Sequence, residues 1–96
     1  MTMFLVELHR IGPQWDPSLP LEEQSDFAAH AAVMDDMVEA GFIVLGGPLA
    51  DERRVILVVE AGSEPEVRAT LGRDPWSVSH LVAYSIEPWT IRLDGR

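Results

Sequence analysis

The chain has 96 residues, with 16 acidic and 7 basic side chains, so its formal net charge at pH 7 is −9. That length suits one domain over residues 1–96, and a composition of 47% hydrophobic and 24% charged residues argues against disorder. Cysteine is absent and every basic residue is Arg, which excludes disulfides, thiolate nucleophiles, Schiff-base lysines and a P-loop lysine.

The charge is uneven: ten acidic side chains stand against Arg10 alone in residues 1–52, and six of each sign follow in 53–96. A nucleic-acid surface needs the opposite sign, so no nucleic-acid partner is expected. No apolar run approaches the roughly 20 residues that cross a bilayer, and Met1 to Gly12 lacks a basic leader and a cleavage site. The expectation is a cytoplasmic protein with no membrane contact.

Phe4-Leu5-Val6-Glu7-Leu8 predicts a first strand that stops at Gly12-Pro13. Pro13, Pro17 and Pro20 then mark a loop. From Glu22 the period changes, because Phe27, Ala31, Met34 and Val38 line one face of an amphipathic helix. Glu22, Glu23 and Asp26 suit its first turn, and Gly41 its end. Phe42 to Leu45 and Val55 to Val59 predict two strands joined as an antiparallel hairpin through a longer loop. Ser63-Glu64-Pro65-Glu66 is a capping box with Pro in the first turn, opening a helix that carries Val67 and Leu71 and stops at Gly72. After Asp74-Pro75-Trp76, Leu81 to Ile86 predicts the fourth strand, ended by Pro88.

The order β-α-β-β-α-β is that of a ferredoxin-like fold, an α+β class with a four-stranded antiparallel sheet and two helices on one face. Strands two and three are apolar on both faces, and a helix-free face of that kind needs a cover. A second copy of the chain is the simplest cover, so a homodimer through the helix-free face is expected.

Ala29-His30, Leu45-Gly46-Gly47-Pro48-Leu49, Asp74-Pro75-Trp76 and Glu87-Pro88-Trp89 follow one another in an order that resembles the YciI-like (YCII-related) family over nearly the whole length. The resemblance implies a dimeric α+β barrel in which two ferredoxin-like sheets pack face to face. It also implies a His and Asp pair as the functional groups, and these fall on His30 and Asp74. The sequence departs from the pattern in the long loop Gly12-Pro13-Gln14-Trp15-Asp16-Pro17 and in His80 just before strand four.

His30 sits on the shoulder of the Phe27/Met34 stripe, where an imidazole can face a cavity and exchange a proton near neutrality. Asp74 can orient that ring, or simply cap its own Asp-Pro turn. Arg10 is the candidate substrate contact for an anion, with the neutralising of neighbours such as Glu7 or Asp16 as its plainer role. His9 reads as a solvated strand end, and Asp35 and Asp36 as a solvated helix face. Phe27, Met34, Met37 and Trp76 read as core or interface. The three His show neither HxH nor HExxH spacing, so no metal and no other cofactor is expected. Spacing alone favours a structural hydrogen bond between His30 and Asp74; with the resemblance, the expectation becomes a small cofactor-independent enzyme of YciI type acting by proton transfer, in an isomerisation or elimination, on a small cyclic or aromatic compound. The rival reading is a non-catalytic module that binds a small ligand or a protein.

Overall fold

A computed structural model describes residues 1–96 as β1 (Thr2–His9), α1 (Phe27–Glu39), β2 (Ile43–Pro48), β3 (Arg54–Ala61), α2 (Glu64–Leu71) and β4 (Val82–Pro88), with one 3-10 turn at Leu21–Glu23. The strands form one antiparallel sheet in the order β2-β3-β1-β4. β1 and β3 take its centre because both alternate strictly: Phe4, Val6 and Leu8 pair with Val59, Leu57 and Val55 and face inward together. Met37 from α1, Val67 and Leu71 from α2, and Trp76 and Leu81 from the turn before β4 close the same core. Full burial of each large apolar side chain contributes about 1.5–3 kcal/mol.

The expected ferredoxin-like dimeric α+β barrel is corrected here. β2 and β4 are the two outer strands and do not pair with each other, so the sheet is open. A barrel requires every strand to have two neighbours. What stands is a small α+β domain with a four-stranded antiparallel sheet and two helices. Trp89 extends the pairing of the β4 end by donating its N–H to the Met3 carbonyl. Beyond it, Ile91 and Leu93 border a shallow cavity of about 160 Å³ together with Met3, Leu45 and Val58. No helix is long and apolar enough to cross a membrane.

The first helix begins at Phe27, not at Glu22. Residues before it are committed elsewhere: buried Gln24 donates to the carbonyls of Asp16 and Leu19 and accepts from the Asp16 N–H. The Ser25 carbonyl accepts from the Trp76 indole. Asp26 then takes a left-handed conformation, φ 59°, that breaks the chain direction into α1. The buried stripe is rotated as well. Met37 is the buried residue of α1 and Val38 is exposed, which draws His30 inward from the expected shoulder. The second helix starts at the capping box, where Ser63 Oγ accepts the Glu66 N–H and Glu66 Oε2 accepts the Gly62 N–H.

Candidate functional site

Asp74 leaves α2 in a tight turn, its own N–H donating to the Leu71 carbonyl and its carbonyl accepting from Ser77. Oδ1 accepts the Trp76 N–H at 2.9 Å, an Asx turn that aims the carboxylate back toward α1. His30 meets it there. Its Nδ1 lies 2.9 Å from Oδ1 and 3.0 Å from Oδ2, with the side chains only 12% and 4% exposed. A carboxylate can only accept, so Nδ1 carries the proton and Nε2 is left with a free lone pair when the ring is neutral.

Trp76 holds this ring in place. Its indole is fully buried and stacks on His30 at 3.9 Å between centroids with 9° between planes. His80 stacks on its other face at 4.6 Å and 12°. His80 is fully buried, with Ser79 Oγ 2.7 Å from Nδ1 and Ser25 Oγ 2.9 Å from Nε2. Burial holds its pKa below the usual histidine value, against the opposing pull of the Asp26 carboxylate. The turn carrying these rings fits so closely on the loop after β1 that a Cβ at Gly12 would lie 2.3 Å from the Ser79 carbonyl.

His30 lines a cavity of about 220 Å³ between α1 and the sheet, walled mainly by Met34, Leu57, Trp76 and Leu81. That is well above the roughly 10–15 Å³ one water requires. The only other charged side chain on its wall is Arg10, whose guanidinium lies 5.1 Å over the Trp15 ring. Arg10 donates through Nη1 alone, at 2.9 Å to the Glu52 carbonyl and 3.1 Å to Glu52 Oε2. Its side chain is 9% exposed, and the buried Nε–H has no partner. Leaving a buried donor unpaired costs about 1–3 kcal/mol, more where it is charged. Asp74 does not line the His30 cavity; it borders a second one of about 190 Å³ on the α2 side, which neither His30 nor Arg10 lines.

Thus His30 is paired to Asp74 and shares a cavity with Arg10, and Arg10 is paired to Glu52 and not to Glu7 or Asp16. His9 stands apart on the helix-free face, 2.6 Å from Glu7 and stacked on Tyr84 at 4.5 Å. The sequence alone assigns no role to the Trp15, Ser25 and Ser79 side chains, and Trp76 reads there as core or interface. A Trp inside a proline-rich loop was the available signal for Trp15, whose ring meets Trp76 edge-on at 5.8 Å. No three His, Asp or Glu side chains come together in a group that could hold a metal ion.

No family model, curated protein or solved structure matches the chain. The resemblance to the YciI-like family is therefore corrected: four short motifs in order are not a family match, and the barrel it implied is absent from the open sheet. The roles of His30 and Asp74 rest on their geometry alone.

Proposed function

We propose that the cavity at His30 is the reaction site of a small enzyme that moves a proton on a cyclic or aromatic compound, in an isomerisation or elimination. The supporting observation is the buried His30–Asp74 pair, engaged through Nδ1, in a residue that lines an apolar cavity. Asp74 fixes the tautomer and stabilises the imidazolium, while His30 takes the proton from carbon and returns it to another carbon in an isomerisation, or passes it to the departing group or to water as the C=C bond forms in an elimination. Arg10 is the substrate contact. The apolar wall raises the worth of each of these charges by excluding water.

The test is proton exchange in D2O, followed by NMR, with a panel of cyclic and aromatic carbon acids. The wild-type protein should catalyse loss of the acidic C–H signal in at least one of them. His30→Ala should slow that exchange by about 10²–10⁴-fold, the usual worth of general acid–base catalysis, while circular dichroism stays native. Ligand binding with no exchange above buffer would favour the binding-module reading instead.

A second copy of the chain is the partner that best suits the helix-free face, where Leu45, Tyr84, Trp89 and Leu93 are 45–94% exposed. Light scattering across a dilution series should give a dimer, and Leu45→Lys should shift it toward monomer.

A further inference from the structure

We infer that the Arg10 end of the His30 cavity is a carboxylate site, and that the ligand is a small apolar monocarboxylate about the size of benzoate. This rests on reading the cavity as the reaction site, and adds to it the chemical class of what enters.

The guanidinium is engaged on one side only. Both of its hydrogen bonds run through Nη1, to the carbonyl and carboxylate of Glu52. The edge formed by Nε–H and Nη2–H is the one whose two parallel donors match the two oxygens of a carboxylate. Nε on that edge is buried and unpaired, in a side chain that is nine-tenths buried. Native proteins rarely leave such a donor empty, and an orphan of this kind calls for an acceptor. Glu52 and Trp15 hold the group still while it waits, one through Nη1 and one through the ring face.

The rest of the wall sets the class. Apart from Arg10 and His30, the cavity is lined by apolar side chains and Gly46. A second charge on the ligand would find no partner there, and would carry the full cost of desolvation. At about 220 Å³ the cavity falls below the roughly 300–1,000 Å³ of pockets for drug-sized ligands. An aromatic or cyclic ring with one carboxylate therefore fits the space and the charge together. Held by Arg10, such a ring is carried along the apolar wall toward His30, which lines the same cavity.

The experiment is a calorimetric titration of the full chain with benzoate and with its neutral isostere benzamide. Benzoate should bind at least tenfold more tightly than benzamide. Arg10→Lys keeps the charge but loses the fork, and should weaken benzoate at least tenfold; Arg10→Gln should erase the preference for benzoate altogether. His30→Ala should change benzoate affinity less than either Arg10 substitution. Equal binding of the two probes by the wild-type protein, no binding of either, or a benzoate preference that survives Arg10→Gln in a folded protein overturns the site. Because the readout is binding, a failed proton-exchange screen leaves this result untouched, and a failed titration leaves the exchange screen standing.

Discussion

The His30 imidazole lies flat against the Trp76 indole, 3.9 Å between centroids and 9° between planes, while its Nδ1 points at Asp74. Two independent constraints thus fix one ring: the carboxylate sets its rotation and the indole sets its plane. The indole is itself fixed, since Nε1–H donates to the Ser25 carbonyl at 2.7 Å and His80 backs its other face. On that other face, burial lowers the pKa of His80 and so disfavours its charged form. Such support is what a preorganised acid–base group requires.

The pair itself gives the first prediction. Asp74→Ala removes the acceptor of both the His30 Nδ1–H and the Trp76 N–H, so it should cost about 1–3 kcal/mol for each donor left buried. His30→Ala should cost less, because the Asp74 carboxylate keeps its turn. In a double-mutant cycle read by urea unfolding, the two substitutions should be non-additive by more than about 0.5 kcal/mol. Additivity would mean that the two side chains do not act as a unit.

Much of this fold is legible in the sequence where local chemistry decides it. The alternation of β1 and β3 and the Ser63–Glu66 box specify their elements without help from distant residues. The start of α1 is not legible in that way. Glu22, Glu23 and Asp26 look like a helical first turn, but Gln24 and Ser25 are claimed by the proline loop and by Trp76, contacts that arise only once the chain has folded. The same long-range turn decides the site. Gly12 must be bare for the loop after β1 to lie on Ser79 and His80, and that juxtaposition brings Trp15 to Trp76 and Arg10 to the cavity holding His30. Spacing along the chain carries none of it.

The second prediction concerns pH. His80 has its folded-state pKa lowered from 6.5, mainly by burial. The unfolded chain therefore binds the proton more readily than the folded one between those two values, and stability rises with pH across that window. The contribution is intact above 6.5, erodes as the pH falls below it, and is lost once the pH passes the folded value. Urea midpoints at pH 7.5 and 5.5 should show this fall. His80→Asn should be less stable at pH 7.5 but should show a smaller fall between the two. An identical fall in both proteins would assign the pH dependence to other groups.

The third prediction tests strain in the turn that carries the site. Val78 has φ 62°, a left-handed conformation that a β-branched side chain adopts only under constraint. The constraint is visible: Val78 N–H donates to the Leu81 carbonyl, and the N–H groups of His80 and Leu81 both donate to the Trp76 carbonyl. These bonds close the turn around the indole and leave the Val78 side chain 75% exposed. Little apolar burial is therefore lost when it is removed. A strained position of this kind costs on the order of 1–3 kcal/mol, and glycine takes the same backbone without a Cβ penalty. Glycine also loses more freedom on folding, about 0.5–1 kcal/mol of offset. Val78→Gly should accordingly raise stability by about 1 kcal/mol, read as a higher urea midpoint with an unchanged slope. Loss of stability would show that the Val78 side chain packs in a way its exposure does not suggest, and that the turn is not strained at this residue.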